Sequence, residues 1–315
     1  MNIKISLADF SHKKELADLW IEAFGDDEQF VNSFIDSYMI AEYNVPVATV
    51  DGKVVSALYM IDFELYSNLE CIGTCSYLFA AATKKEYRNK GFMSKLIEYT
   101  AELYKNRDIK AIFLFPQNQN DNLFRYYSKF GFKDIYKTKK IYSIPDAPSA
   151  VNDLELQTED ITNVEVFDEL YDAYVHFNAK QSLSPMKDRL FYFKCAKSYL
   201  DSTEENTCFA IFQNNVEKFC YVFYKKSKNV YYIDDIIFIE SDKMTKNLKN
   251  EWDKTLALLA GYIKNQGCGY EINALPTDFS GENDSLAMIL PLDKKIKDII
   301  DNLKVPVYLN MFMNL

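Results

Sequence analysis

Histidine is scarce in this 315-residue sequence, with only His12 and His176, far apart along the chain. A histidine-rich zinc centre is therefore not expected, and no metal is assigned. Cysteine pairing is missing as well. Cys71, Cys75, Cys195, Cys208, Cys220 and Cys268 form no C-x-x-C motif and sit mostly in apolar stretches. That usage fits reduced core thiols of a cytosolic protein. No run of about 18 apolar residues occurs, so no membrane span is expected. The opening "MNIKISLADFSHKKEL" has no long apolar core after its basic residues. No secretory signal is expected from it, and the expected location is cytoplasmic. Net positive charge is also absent: the formal net charge is -10 and the pI about 4.9. General nucleic-acid binding, which draws on a basic face, is not expected. An acidic surface serves solubility, and it would equally favour a cationic substrate such as a free amine.

What the chain does have is apolar mass. Hydrophobic residues make up 48% and aromatic residues 15%, too much for one small core and suited to two domains or one large one. In the first half, Ser11 is placed to cap a helix carrying Leu16, Leu19, Trp20 and Ala23 at helical spacing. Gly25-Asp26-Asp27 ends it, and a second helix is expected from about Glu28 to Met39. "VPVATVDGKVVSALYMIDFEL" then reads as two strands about the Asp51-Gly52 turn. A strand over Thr74 to Ala82 is followed by a turn and a helix with Met93, Leu96, Ile97, Ala101 and Tyr104 on one apolar face. "IKAIFLF" reads as a buried strand, and a short helix from about Asn120 to Phe130 stops at Gly131.

Two prolines and several small residues in "SIPDAPSAVND" interrupt the pattern and divide the chain into expected domains 1–145 and 146–315. Beyond the break, helices are expected near 162–180 and 186–200, and strands near 207–213, 218–225 and 229–239. A helix near 247–265 and a strand from Tyr270 complete the pattern. Helices first, a meander, then helix and strand: the order echoes the first half, as a weak internal repeat or as an unrelated α+β domain.

The stretch "YRNKGFMSKL", Tyr87 to Leu96, carries the chemistry. A pyrophosphate needs several backbone N–H groups converging on one point, and a helix N-terminus offers them with a favourable dipole. Gly91 lets the backbone approach closely, while Arg88, Lys90 and Lys95 add positive charge to an otherwise acidic chain. Taken alone, the stretch reads equally as a plain strand-to-helix turn.

In "AAATKKEYRNKGFM", Glu86, Tyr87, Arg88 and Gly91 match the signature Arg/Gln-x-x-Gly-x-Gly/Ala and its Glu-Tyr lead-in. In "NDNLFRYYSKFGF", Asn120, Tyr127, Gly131 and Phe132 match a second motif, Asn-x-x-Ala-x-x-Leu-Tyr-x-x-x-Gly-Phe. With both motifs in order, the sequence resembles the GNAT superfamily of acyl-CoA-dependent N-acetyltransferases over roughly residues 1–140. It departs at Met93, where the family has Gly or Ala, at Leu123 in place of alanine, and at Tyr126 in place of leucine. The resemblance implies an α/β (α+β) GNAT fold with a mixed central sheet and flanking helices, followed by a second, degenerate GNAT-like domain without a cofactor loop.

The same resemblance implies the site. Backbone at Ala80 and Ala82 would meet the pantetheine of acetyl-CoA. The loop Arg88, Asn89, Lys90, Gly91, Phe92, Met93 and Ser94 would hold the pyrophosphate through its amides, with Asn120 nearby. Tyr127 is the implied general acid, since a phenol is protonated at neutral pH and can donate to a departing thiolate. It could also be a half-buried core aromatic, one of 23 tyrosines. Asp62, Glu64 and Glu70 are candidate bases acting through water, or simply solvated carboxylates. The chain is also similar to the enhanced-intracellular-survival acetyltransferases, in which a C-terminal carboxylate reaches the active site. That similarity makes Leu315, at the end of "VPVYLNMFMNL", a second catalytic candidate; a terminal strand completing a sheet is the alternative. In the second half Asp234 and Asp235 replace any glycine loop. They would repel a pyrophosphate and could meet a cationic amine, or form a surface hairpin charge pair.

The function implied is acetyl-CoA-dependent N-acetylation of a primary amine, small-molecule or peptide, by direct transfer in a ternary complex. No nucleic acid and no membrane partner are expected, and a homo-oligomer is left open. The alternatives are a non-catalytic acyl-CoA sensor or partner-binding module and an aminoacyl-tRNA-dependent transferase, the last disfavoured by the net charge of -10.

Overall fold

The computed structural model describes residues 2–36, 44–116, 121–138, 141–142, 153–201, 206–239, 248–272, 284–304 and 307. The elements begin with β1 (Ile3–Leu7), α1 (Lys13–Phe24), α2 (Glu28–Phe34), β2 (Pro46–Val50), β3 (Lys53–Ser67) and β4 (Glu70–Thr83). Next come α3 (Phe92–Asn106), β5 (Ile109–Leu114), α4 (Asp121–Ser128) and β6 (Lys133–Thr138). After them stand β7 (Glu155–Thr158), α5 (Val164–Ala179), β8 (Ser184–Met186), α6 (Arg189–Leu200), β9 (Thr207–Gln213), β10 (Lys218–Ser227) and β11 (Val230–Phe238). The last are α7 (Leu248–Asn265), β12 (Gly269–Ile272), β13 (Asp284–Pro291) and α8 (Lys294–Asp301).

These elements form two compact units that do not follow chain order. The first holds Met1–Leu65, Ile72–Ile135 and Leu286–Asn302; the second holds Tyr66–Cys71, Tyr136–Ser285 and Leu303–Leu315. In the first unit the strands lie in the order β1-β2-β3-β4-β5-β13-β6. The strand β13 joins from far along the sequence and pairs antiparallel with β5, Met288 opposite Leu114 and Pro291 opposite Ala111. No pattern within β5 announces this partner, because strand pairing across such a separation leaves no local trace in sequence.

The local signals that did apply are visible in the first unit. Asp51 and Gly52 take positive φ angles of 48° and 81°, the two-residue turn that hairpins favour, and they join Val50 to its partner Lys53. Ser11 does not cap α1, whose N-cap is His12 with no side-chain cap; Asp9 caps the 3-10 turn Phe10–His12 before it, its carboxylate accepting from the Ser11 N–H at 2.9 Å. The helix ends at Gly25, at φ 79°. Asp27 caps α2, accepting from the N–H groups of Gln29 and Phe30. The α-helical part of α2 runs to Phe34 and Ile35–Asp36 continue helically; the expected end at Met39 lies outside the described residues.

Side chains sort onto the two faces of the first sheet. On one face Leu58, Met60, Leu78, Ile112, Leu114, Met288 and Leu290 pack with Leu96, Ile97 and Tyr104 of α3 and with Tyr127 of α4. Helical spacing brings the α3 residues into line, as the sequence indicated. The other face is aromatic. Trp20 meets Tyr59 at 4.7 Å and Phe34 at 5.2 Å between ring centroids, and Tyr77 stacks on Phe113 at 4.9 Å.

The second unit has the sheet order β12-β11-β10-β9-β7. Strands β9, β10 and β11 form an antiparallel meander, and β12 returns parallel to β11 after α7. Ile141 bridges Ile272 of β12 in antiparallel fashion. Its core is dominated by buried rings, among them Tyr174, Phe177, Tyr192, Phe209, Phe212 and Phe223. No helix among the described residues is long and apolar enough to cross a membrane.

Candidate active site

The site in the first unit begins where two strands part. Parallel pairing of β4 with β5 runs from Thr74 opposite Ile109 to Tyr77 opposite Phe113. Beyond that pair β4 continues to Thr83 while β5 stops at Leu114. Among the described residues no ladder joins the two strands past Tyr77, so one edge of β4 from Leu78 onward presents backbone groups to an opening.

Ala80 and Ala82, both buried, lie on this stretch. The Ala82 carbonyl accepts from Ser56 Oγ at 2.9 Å, and the Lys84 N–H donates to Val55 O of β3. Backbone groups alternate between the two edges of a strand, so those of Ala82 turn toward β3. By the same alternation the Ala80 groups also turn toward β3, and the amides facing the other edge at this end would be those of Ala81 and Thr83.

The chain next makes a single 3-10 turn, Lys85–Tyr87, whose first N–H donates to the Glu22 carboxylate at 3.0 Å. Arg88 comes next in extended conformation, and its Nε donates back to Thr83 O at 3.0 Å. Asn89 and Gly91 then take positive φ angles of 60° and 80°. Left-handed residues so close together aim successive N–H groups toward one side, a concavity suited to anions. Gly91 is the N-cap of α3 and has no capping side chain; the first helical bond runs from Lys95 N to Gly91 O at 3.1 Å. The N–H groups of Phe92, Met93 and Ser94 thus occupy the turn that has no acceptor within its own helix. A Cβ on Gly91 would meet nothing within 4 Å, so its glycine answers to backbone conformation and not to crowding. An L-residue at its φ of 80° would be strained even there.

Lys90 extends over the Tyr87 ring, its Nζ 5.2 Å from the centroid, and Phe92 meets the same ring edge-on at 5.8 Å. Met93 packs its side chain against the buried cluster around Leu96 and Tyr127. The departure from Gly or Ala therefore fills the core, and Met93 still contributes its N–H to the helix start.

Tyr127 sits on α4, only 8% exposed, against Tyr126 at 5.3 Å and Phe132 at 5.6 Å. Burial pushes its phenol pKa up, with the neighbouring Tyr126 adding to the shift, so the proton is held at neutral pH. Gly131, at φ 92°, closes the turn after α4; a Cβ there would press on Leu290 Cδ1 at 3.3 Å. The glycine of the second motif thus makes room for β13. One contact went unnoticed in the sequence: Ser94 Oγ and the Tyr126 hydroxyl lie 3.2 Å apart. Its only advance signal was a tyrosine standing where the motif has leucine.

Asn120 and Leu315 lie outside the described residues. Asp62 falls at the other end of α3 from the cradle. Asp62 is an exposed position, yet neighbouring protein around its carboxyl raises its pKa, opposed by Ser76, Asn44 and Arg107; burial raises the pKa of Tyr104, with the Asp62 charge adding to it. Tyr104 stands twelve positions after Phe92, about 18 Å along the helix axis. Glu64 and Glu70 occupy exposed positions of β3 and β4.

The equivalent point of the second unit is built differently. Among the described residues the pairing of β11 with β12 reaches Ile233 opposite Ile272, and Asp234 and Asp235 come next along β11. Register shifts opposite them, between Phe223 and Tyr224, leaving Asp234 as the extra residue. Asp234 accepts from the Tyr199 hydroxyl at 2.9 Å, and Asp235 is fully buried. A surface charge pair is therefore not what these residues form. Lys187 is buried too, beside the stacked rings of Tyr174 and Tyr192, with its Nζ 5.7 and 5.8 Å from their centroids. Burial pushes its pKa down to about 8, while Cys195 and Asp235 pull the other way.

Residues 4–135 match the family model described as an acetyltransferase (GNAT) domain. No curated protein matches the chain by sequence. Among solved structures, a probable N-acyltransferase from Enterococcus faecalis V583 superposes with TM-score 0.70 at 13% identity, covering 93% of this chain and 73% of its own. A GCN5-related N-acetyltransferase from Anabaena variabilis ATCC 29413 gives 0.65 at 15% identity, with the same coverages of 93% and 73%. Eis1 from Mycobacterium abscessus gives 0.62 at 11% identity, covering 93% and 74%. Likeness at such identity speaks for the fold, and the family model speaks for the domain. A strand divergence, a glycine-turned helix start and a buried tyrosine meet in the segment that this model matches, and residues 4–135 carry an acetyltransferase (GNAT) domain.

Proposed function

We propose that the protein transfers the acetyl group of acetyl-CoA to a primary amine, directly and within a ternary complex. The observation that carries this is the divergence of β4 from β5, ending at a left-handed Gly91 with unsatisfied helix N–H groups behind it. The N–H groups of Phe92, Met93 and Ser94 would hold the pyrophosphate, with Asn89 and Lys90 alongside. The amides of Ala81 and Thr83 would orient the pantetheine arm. Acetyl-CoA, when bound, supplies an activated thioester carbonyl.

Tyr127 holds a proton at its phenol oxygen and gives it to the departing sulfur as the carbon–nitrogen bond forms and the carbon–sulfur bond breaks. The amine enters neutral and gives up one N–H proton through water, which returns a proton to the Tyr127 oxygen. The second unit serves as a degenerate GNAT-like domain, since a bulged and a buried carboxylate stand where the first unit has its divergence and cradle. The acceptor is a small-molecule or peptide amine, met in the cytoplasm, and no metal takes part.

Calorimetric titration with CoA, followed by acetyl-CoA turnover on a panel of amines, tests the proposal. Binding with turnover that is lost in Tyr127→Phe supports it. Binding without turnover on any amine moves the protein to the acyl-CoA sensor class, and no binding at millimolar CoA overturns the proposal.

A further inference from the structure

The strands β4 and β5 part after Tyr77 and Phe113, so no backbone ladder fixes their separation toward the cradle. Each strand leads into one helix: β4 through the cradle into α3, and β5 toward α4. The separation of those helices therefore rests on side chains. Apolar packing supplies part of it, through Met93, Leu96 and Tyr127 in one cluster. Apolar contacts are non-directional and tolerate sliding. A hydrogen bond between the helices sets a direction and a distance.

Ser94, in the first turn of α3, and Tyr126, on α4, provide one, with their hydroxyl oxygens 3.2 Å apart. The Tyr126 ring is itself held edge-on by Tyr127 at 5.3 Å and by Phe130 at 5.2 Å. Any displacement of the Tyr126 hydroxyl is thereby carried to the ring of Tyr127, its neighbour in sequence and in space.

Resting on the acetyl-transfer reading above, we infer that Tyr126 is a positioning residue: through Ser94 it locks α4 to the cradle helix and so holds the Tyr127 ring in its buried place. A leucine, the residue of the resembled motif, would fill the volume of part of the ring and could not make this bond. The lock belongs to this chain's departure from the motif. It is a hydroxyl-to-hydroxyl bond at partly buried positions, and its loss leaves no charge unpaired.

The test is a double-mutant cycle in the full chain with Tyr126→Phe, Ser94→Ala and the pair together. Each protein is measured for kcat, for KM of acetyl-CoA, for the CoA dissociation constant by calorimetry, and for Tm. Loss of one neutral hydrogen bond predicts a fall in kcat of about fivefold for either single variant, with Tm close to wild type. The double variant should match the single variants, because both remove the same bond. Tyr126→Leu should behave as Tyr126→Phe. Additive losses, a kcat within about twofold of wild type for Tyr126→Phe, or a far larger loss in Ser94→Ala alone would each overturn the inference. The last would mean that Ser94 acts on the ligand without Tyr126. Failure of the underlying reading looks different: the wild-type protein would show neither CoA binding nor turnover, and the positioning role would fall with it.

Discussion

The two units solve the same geometric problem in opposite ways. In each, a strand pairs with a parallel neighbour: β4 parts from β5 after Tyr77, and among the described residues the pairing of β11 with β12 reaches Ile233. In the first unit the longer strand leads to Gly91 and a helix start whose N–H groups lack helical acceptors. In the second, the residues beyond that pair are Asp234, tied to Tyr199, and Asp235, buried in the unit that also buries Lys187. A parallel pair of strands does not by itself make a site. The residues that follow the pair decide whether that end receives a ligand or is taken up by the protein's own charges.

The sharpest way to break this contrast is at Tyr127. Tyr127→Phe keeps the ring and removes the proton, and kcat should fall roughly 10³-fold while the CoA dissociation constant holds. Steady-state kinetics paired with calorimetry checks both halves, and an unchanged kcat would strip the first unit of its general acid.

The second unit should respond to pH instead. Lys187 has its pKa depressed to about 8 from the ordinary lysine value of 10.5. Below pH 8 both folded and unfolded chains carry the charge, and folding bears the full cost of burying it. Between pH 8 and 10.5 the folded state releases the proton first, so stability should rise with pH, by on the order of 3 kcal/mol across the window. Denaturant unfolding of the wild type and of Lys187→Met, monitored at about pH 7 and pH 9.5, reads this directly. The rise should be present in the first protein and absent in the second.

A smaller effect is expected at Gly91. Gly91→Val must adopt a φ of 80°, at a cost of about 1–2 kcal/mol, or rebuild the turn. The CoA dissociation constant should increase about tenfold, since about 1.4 kcal/mol is a factor of ten. Calorimetry showing unaltered affinity would detach the cradle from ligand binding. The smallest change is Ser56→Ala, which deletes the hydroxyl that donates to Ala82 O. It should cost about 1 kcal/mol of stability in thermal unfolding and affect KM for acetyl-CoA more than kcat.

Much of the first unit was legible in the sequence where the signal was local. The α3 stripe of Leu96, Ile97 and Tyr104 is buried as spaced, and Asp51-Gly52 makes the hairpin its residues favour. Gly91 could be singled out because few residues accept a left-handed helix start. The edge to which Ala82 turns its backbone was not legible, because strand register depends on a partner strand. Nor was the role of Tyr126, since a hydroxyl's partner on another helix leaves no mark on the spacing. Asp234 and Asp235 read as surface charges because two adjacent acids usually are; a bulge and a tyrosine from α6 changed that.

The sequence by itself determined the local chemistry: a glycine that permits the cradle, a motif tyrosine, and helix faces written at their own period. Tertiary structure alone decided which segments share a sheet. The proline-bearing break near residues 143–153 suggested a boundary in chain order, yet Leu286–Asn302 belongs to the first unit and lays β13 beside β5. Helix periodicity is a property of neighbours along the chain, so it can be read from them. Strand pairing is settled by which apolar faces and backbone edges remain to be satisfied once the rest has folded, and no stretch of sequence carries that information alone.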